Sequence, residues 1–415
     1  MNTLRFITAG NVDDGKSTLI GRLLYDSDSI HTDQLGIIQK QTKLKNVEID
    51  LSLITDGLRA EREQGITIDV AYKYFATKKR KFIIADAPGH EQYTRNMITG
   101  ASNSEVIIIL IDARKGITEQ TKRHASIGSL MGIKKVIVAV NKIDLVNYSE
   151  PIFEQIKTDF EKLKSELNYN EILYIPVSAL AGDNVVTVSE NTNWYKGESL
   201  LATLEKIEPF TTKDLDARFQ VQLVIRPRDE ENHDYRGYAG LVLSGVYKTG
   251  DTVTILPAHL ETKIEKIEKN LQEVATAVAG DNVVLHFENN IDISRGDTVV
   301  LSNKLPTESN EIKTWISWLD NTPLQLNKTY LLQHRFKNVR VKVQKIEQKW
   351  NVNDWKFTQS DEIKLNDIAQ ITLKTSQALF FDSFDENPKT GNAILIDETT
   401  FNTVGSLMFL ENEIV

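Results

Sequence analysis

Short apolar runs alternate with longer, polar-faced stretches through the first half of the chain. Leu4, Phe6 and Ile7 form the first run. Val106–Asp112, Lys135–Asn141 and Ile172–Val177 are later ones, each giving way to polar residues at its end. Runs of this kind are strands buried in a parallel sheet, and ligands gather at their carboxyl ends. Helical spacing between them predicts helices over Glu119–Met131, Pro151–Leu167 and Ser199–Ile207. The stretch 68–75 alternates in part and meets Phe82–Asp86 through Lys78-Lys79-Arg80-Lys81. This predicts an antiparallel edge hairpin whose basic tip lies in solvent. Asp26–Gly65 is polar, with helix-like pieces at Thr32–Lys45 and Asp56–Gln64.

The texture changes after Glu208-Pro209-Phe210-Thr211-Thr212. Short alternating strands follow, separated by turns such as Ser244-Gly245, Thr249-Gly250-Asp251, Gly280-Asp281-Asn282 and Arg295-Gly296-Asp297. The same texture continues to the end of the chain and predicts two antiparallel β-barrels. The expected architecture is an α/β domain with a wound, mostly parallel sheet over residues 1–210, then barrels over 211–305 and 306–415. A length of 415 residues suits two to three domains.

Composition narrows the class. Hydrophobic residues make up 40% and charged residues 26%, ordinary for a soluble globular chain. The strongly apolar run 106–111 falls far short of the roughly 20 residues that span a bilayer, and the first strand leaves no room for a signal peptide. With no cysteine, disulfides, thiolate metal sites and Cys nucleophiles are excluded, and a cytoplasmic setting is expected. Lys and Arg number 49 against 58 Asp and Glu, a net charge of −9. That balance disfavours a general nucleic-acid sheath.

The chemistry begins at Gly10-Asn11-Val12-Asp13-Asp14-Gly15-Lys16-Ser17. This fits a phosphate-binding loop, with a strand before it and a helix opening at Thr18. The glycines let main-chain N–H groups turn onto phosphate oxygens, and the helix N-terminus adds partial positive charge. Lys16 is expected to reach the outer phosphates and Ser17 to give its hydroxyl to Mg²⁺.

Four further elements follow in order. Thr67, after Gly65-Ile66, can close on Mg²⁺ and the terminal phosphate. Asp86-Ala87-Pro88-Gly89-His90 follows a strand; Asp86 is expected to hold Mg²⁺ through water and the Gly89 N–H to sense the terminal phosphate. His90 is expected beside the transferred phosphate. Asn141-Lys142-Ile143-Asp144 and Ser178-Ala179-Leu180 select the base. The Asp144 carboxylate can accept from N1–H and the 2-amino group of guanine, donors that adenine lacks, and the Ala179 N–H suits the guanine carbonyl. The set predicts a site for GTP and GDP.

These elements resemble the translational-factor class of GTPases, in which a G domain carries two β-barrels. The longer strings GNVDDGKSTLIGRLLYDS, DGLRAEREQGITIDVAYKYF and DAPGHEQYTRNMITGAS resemble those of the large, GTP-binding subunits of bacterial sulfate adenylyltransferases. So do Arg218-Phe219, Arg236–Gly240, Pro323-Leu324 and Ser376–Asn387. The resemblance implies that His90 positions the attacking water and that Val12 and Ile66 form an apolar gate beside it. Asp13 matches an aspartate sometimes linked to a monovalent cation; Asx habits favour a local hydrogen bond instead. Ala87 stands where the family often has Thr, and Ile143 where Met is common.

The resemblance also implies a partner, a small catalytic subunit of the PP-loop type that makes adenosine 5′-phosphosulfate and pyrophosphate from ATP and sulfate. GTP hydrolysis on this chain is then expected to drive the uphill anhydride formation. The kinase domain of some relatives is not expected here, since no second phosphate loop is present. Neither nucleic acid nor membrane is an expected partner. The competing expectation is a carrier of aminoacyl-tRNA to the ribosome.

Overall fold

The computed structural model describes residues 3–27, 29, 51, 69–89, 94–164, 167–227, 235–351 and 356–411. The chain divides into two compact units, one over Met1–Phe210 and the other over Thr211–Asn351 with Lys356–Val415.

The first unit is built on a six-stranded sheet. In chain order its described elements are β1 (Thr3–Ala9), α1 (Lys16–Asp26), β2 (Ala71–Ala76), β3 (Lys81–Asp86), α2 (Thr94–Ala101) and β4 (Val106–Asp112). There follow α3 (Glu119–Leu130), β5 (Lys135–Asn141), α4 (Glu150–Lys164), β6 (Glu171–Pro176) and α5 (Leu200–Lys206). The strand order is β2-β3-β1-β4-β5-β6. All neighbours are parallel except β2, which pairs antiparallel to β3 from Ala71↔Asp86 to Ala76↔Lys81. Every residue of β4 is buried, as a central strand covered on both faces requires.

The order reverses at β1, which lies between β3 and β4, the place in a wound sheet where ligands bind beyond the strands' carboxyl ends. Leu4, Phe6, Ile84, Ile108, Leu110, Ile137 and Ala139 fill the core with Leu19, Ile20 and Leu23 of α1. Thr118 caps α3 by accepting the Thr121 N–H, and Ser199 caps α5 by accepting the Ala202 N–H.

The hairpin tip differs from expectation at one residue: Lys78, Lys79 and Lys81 are exposed, and Arg80 is not. Lys79 pairs with Glu205 at 2.7 Å, and Arg80 is only 7% exposed. The Arg80 Nη1 donates to the Leu204 carbonyl at 3.0 Å and also to that of Ile207. A basic run suggests solvent, but here one member satisfies the orphan carbonyls at the end of α5.

The second unit holds two closed six-stranded antiparallel barrels. The first uses β7 (Arg218–Ile225), β8 (Gly237–Ser244), β10 (Thr252–Leu256), β11 (Leu260–Lys269), β14 (Asn282–Phe287) and β15 (Thr298–Leu301). It closes through β10–β11; short β12 (Gln272–Val274) extends β11, and β9 (Val246–Lys248) pairs with β13 (Thr276–Val278). The second uses β16 (Thr307–Trp318), β17 (Thr329–His334), β18 (Lys337–Asn351), β20 (Ile368–Phe381), β21 (Asn392–Asp397) and β22 (Thr403–Phe409). It closes through β17–β18, with β19 (Lys356–Thr358) beside β18. Closure removes free sheet edges. The two barrels are joined by a buried ion pair. Arg218 donates to Asp382 through Nε at 3.0 Å and Nη2 at 2.7 Å. Thr390 and Asn387 also donate to Asp382.

Candidate functional site

The loop from β1 to α1 is set by its own hydrogen bonds. Asp14 is buried, and its Oδ2 accepts the Asn11 N–H at 2.7 Å, while Asn11 Oδ1 accepts the Val12 N–H at 2.8 Å. Burial raises the Asp14 carboxyl above its ordinary range, with the Asn11 N–H and Lys16 acting against that rise. Gly15 is the left-handed N-cap of α1 at φ 94°. A Cβ there would stand 2.4 Å from Asn141 Nδ2, so the position admits only glycine. The first turn of α1 carries no acidic residue, which leaves its dipole for an anion.

Lys16 opens that helix and is buried. Its Nζ donates to the Gly10 carbonyl at 2.9 Å and the Asn11 carbonyl at 3.0 Å. An ammonium has three N–H donors, so one remains for a phosphate oxygen. Burial pushes the Lys16 ammonium below its usual pKa, and Asp86, Asp14 and Asp13 pull it back up. Gly89 lies against this group: a Cβ there would meet Lys16 Nζ at 2.5 Å and the Gly10 oxygen at 2.7 Å. Asp86, Ala87, Pro88 and Gly89 are all buried, and Thr8 Oγ1 donates to Asp86 Oδ1 at 3.3 Å. The Ser17 hydroxyl and the Asp86 carboxylate are hard oxygen donors of the kind Mg²⁺ takes, and phosphates supply the rest of such a shell. The residues present therefore fit that ion.

The base side is tied to the phosphate side through Asn141. Its Nδ2 donates to the Asp14 carbonyl at 2.7 Å, and its Oδ1 accepts the Ala179 N–H at 2.9 Å. A guanine carbonyl would share that N–H with Asn141, a competition the sequence did not reveal. Lys142 takes a left-handed φ of 60°, and its Nζ donates to the Asp13 carbonyl and reaches Asp112 Oδ2 at 3.1 Å. Asp13 itself has φ 68°. Ile143 is fully buried, and half-buried Asp144 lies in the first turn of a short 3-10 helix, Ile143–Val146. The Ser178–Leu180 turn is closed by Gly182 N–H to the Ser178 carbonyl at 2.7 Å and Ser178 N–H to the Asp183 carbonyl at 3.1 Å.

Thus Gly10–Thr18, Asp86–Gly89, Asn141–Asp144 and Ser178–Leu180 come together beyond the carboxyl ends of β1, β3, β5 and β6. Val12 is half-buried in the phosphate loop. Ile66, Thr67 and His90 lie outside the described residues. Sequence reasoning missed Asp112 and Arg114. Arg114 grips Asp112 through Nε at 3.0 Å and Nη2 at 2.6 Å. Burial alone would raise the Asp112 carboxyl, but Arg114 and Lys142 outweigh it and hold it well below the carboxylate range. The one available signal was a polar residue ending the apolar run of β4.

The Elongation factor Tu GTP binding domain family matches residues 1–209, and the GTP-eEF1A C-terminal domain-like family matches 311–408. The chain is 47% identical over 412 residues to "Sulfate adenylyltransferase subunit 1" of Pseudoalteromonas atlantica, covering 98% of this chain and 87% of that protein. It is 45% identical over 413 residues to "Bifunctional enzyme CysN/CysC" of Mycobacterium tuberculosis, covering 99% of this chain and 67% of that protein. The GTPase-like domain of S. cerevisiae Ski7, solved with GDP and inorganic phosphate, is similar in fold. Its TM-score is 0.51 at 21% identity, over 99% of this chain and 97% of that one.

Proposed function

The chain belongs to the sulfate adenylyltransferase subunit 1 family, with a GTP-binding domain of the elongation factor Tu type, and from that premise we propose that it is the GTPase subunit of a sulfate-activating enzyme. The observation that carries the nucleotide part is Asn141, whose side chain holds the phosphate loop and the base loop in one register. Lys16 and the N–H groups of Gly10–Thr18 bind the phosphates. Asp144 and the Ser178–Leu180 turn select guanine. Ser17 and Thr67, with Asp86 through a water, would hold Mg²⁺ against the phosphates, and the ion would there neutralise the charge that develops on the leaving oxygens.

His90 orients the attacking water, and Val12 with Ile66 restrains it until the partner is loaded. The residue assignments and the domain limits 1–210, 211–305 and 306–415 belong to this same proposal. The partner is a small catalytic subunit of the PP-loop type that joins ATP and sulfate to give adenosine 5′-phosphosulfate and pyrophosphate. That anhydride is uphill to form, and GTP hydrolysis drives it. The names of the relatives favour this over delivery of aminoacyl-tRNA. Among the described residues no helix is long and apolar enough to cross a membrane, and we place the enzyme in the cytoplasm.

The test is the yield of adenosine 5′-phosphosulfate from the chain, its partner, ATP and sulfate. The chain alone should make none. With the partner, the equilibrium yield should rise with GTP and much less with a non-hydrolysable analogue. Equal yields with the two nucleotides would reduce the chain to a scaffold.

A further inference from the structure

Arg22 lies on α1, farther along the helix that Lys16 opens. Its Nε donates to the Ala179 carbonyl at 3.3 Å, and its Nη2 donates to the Leu180 carbonyl. Its Nη1 reaches Asp26 Oδ1 at 3.5 Å, one turn on, and the side chain is 19% exposed. Gly182, farther along the turn, is left-handed at φ 92°, and a Cβ there would lie at ordinary contact distance, 3.7 Å, from Arg22 Cδ and Nε. One guanidinium thus gathers two consecutive carbonyls of the turn that follows β6.

We propose that Arg22 is a positioning residue for guanine recognition, acting through the Ser178–Leu180 turn. The proposal rests on the guanine-site reading above. Two adjacent carbonyls turned to one side repel each other, and a rigid two-pronged cation relieves that repulsion in a way a point charge does not. In a planar trans peptide the N–H points opposite to the C=O. With the Ala179 carbonyl drawn onto α1, the Leu180 N–H is turned away from that helix. The Ala179 N–H is already engaged by Asn141 Oδ1, so the Leu180 N–H is the second donor for the 6-oxo group of the base. Without Arg22 the 179–180 peptide can rotate and aim its carbonyl where that oxygen would sit. The same contact fixes the base turn to the helix whose N-terminus carries the phosphate loop.

The test titrates the whole chain, with Arg22→Ala and Arg22→Lys, against GDP, 6-thio-GDP and ADP. The sulfur of 6-thio-GDP replaces the 6-oxo oxygen with a weaker acceptor and leaves N1–H and the 2-amino group in place. Arg22→Ala should weaken GDP about tenfold and 6-thio-GDP less than about threefold, the scale of one hydrogen bond. The preference for GDP over 6-thio-GDP then narrows, and Arg22→Lys restores it only in part. Equal losses for both nucleotides, or no loss of GDP, would overturn the proposal. If the unaltered chain binds ADP as well as GDP, the guanine-site reading fails instead, and the two failures are separable. Circular dichroism checks folding. If Arg22→Ala does not fold, Arg22→Lys and Arg22→Gln must show the same narrowing, and its absence in both sinks the idea.

Discussion

The Nδ2 of Asn141 donates to the main-chain oxygen of Asp14 at 2.7 Å, joining the end of β5 to the phosphate loop across 127 residues of chain. The opposite face of the same amide receives the Ala179 N–H. Asn141→Ala leaves a buried carbonyl and a buried N–H without that partner, each costing roughly 1–3 kcal/mol. GDP affinity should fall by roughly 10²-fold or more by that scale, and thermal stability should fall with it. Asn141→Asp would supply two acceptors and no donor, so it should not rescue the Asp14 side. Calorimetric titration with GDP decides this, and unchanged affinity would remove Asn141 from the site.

Gly89 is expected to tolerate no side chain. Its missing Cβ is the space in which Lys16 Nζ and the Gly10 carbonyl meet the segment that follows β3. Both neighbours are held by hydrogen bonds within the phosphate loop, so neither can yield cheaply. Gly89→Ala should lower single-turnover GTP hydrolysis by at least about 10²-fold, the cost of displacing groups that position the transferred phosphoryl. The fold should persist by circular dichroism. A variant that hydrolyses GTP at the full rate would place Gly89 away from the phosphate.

Much of this site was legible because each part is a local device. Gly15 had to be glycine for a left-handed cap, and Asp86, Asn141 and Ser178 follow apolar runs that end at one edge of the sheet. The limits of the helices shifted by about a residue, as with α5 at Leu200–Lys206 against the expected Ser199–Ile207, because composition does not show where the capping residues fall. What was not legible depends on distant partners. Arg80 sits in a basic run that reads as solvent-exposed, and only the tertiary position of α5 gives it carbonyls to cap. Arg22 is one arginine among several on polar helix faces until the turn after β6 arrives beside it. Arg218 and Asp382 lie 164 residues apart, and no spacing rule relates them. The barrel strands carry register shifts, as in β16 between Ser309 and Glu311, that arise from packing and leave no pattern in the sequence.

Two buried histidines make the fold acid-sensitive. Burial, then Lys16 and Arg123, lowers His124 to about 3. Burial, with help from Arg335 and Lys337 and against the Thr390 carbonyl, lowers His334 to about 4. Each folded value lies below the ordinary histidine value of about 6.5, so the unfolded chain binds the extra proton. The resulting stability is fully present above about pH 6.5 and is lost as pH falls toward the folded values. At pH 5 each should cost about 2 kcal/mol relative to pH 7. Denaturant unfolding at both pH values checks this. His124→Gln and His334→Gln should each flatten the dependence, and an unchanged slope would show that the histidine is not buried neutral.

The ion pair between the barrels is expected to be costly to break and cheap to replace. Asp382→Asn leaves Arg218, 2% exposed, without its carboxylate, and removing one partner of a buried pair costs roughly 3–5 kcal/mol. Replacing both with apolar residues of similar volume, Arg218→Met with Asp382→Leu, should recover much of that loss. The unfolding midpoints of the single and double variants measure it. If Asp382→Asn unfolds at the parent midpoint, Arg218 is solvated and the barrels are held by other contacts.

Asp144 carries the sharpest expectation, because its effect has a sign as well as a size. On the reading proposed above, its carboxylate would accept from N1–H and the 2-amino group of guanine; it stands in the first turn of the short helix whose Ile143 is buried in the core. Xanthine has an oxygen where guanine has that amino group, so the carboxylate repels it. In Asp144→Asn the side-chain amide can donate to that oxygen. A pocket built around missing or added donors discriminates by roughly 10⁴-fold, so GDP should weaken by at least about 10²-fold and XDP should become the preferred ligand. Lys16 and the phosphate loop are untouched by the change, and both ligands carry the same diphosphate. The shift in preference therefore reads the base contact alone. Titration of the parent and variant chains with GDP and XDP measures it. Retained guanine preference in the variant would remove Asp144 from the base pocket, and with it the ground for placing Ser178–Leu180 over the 6-oxo group.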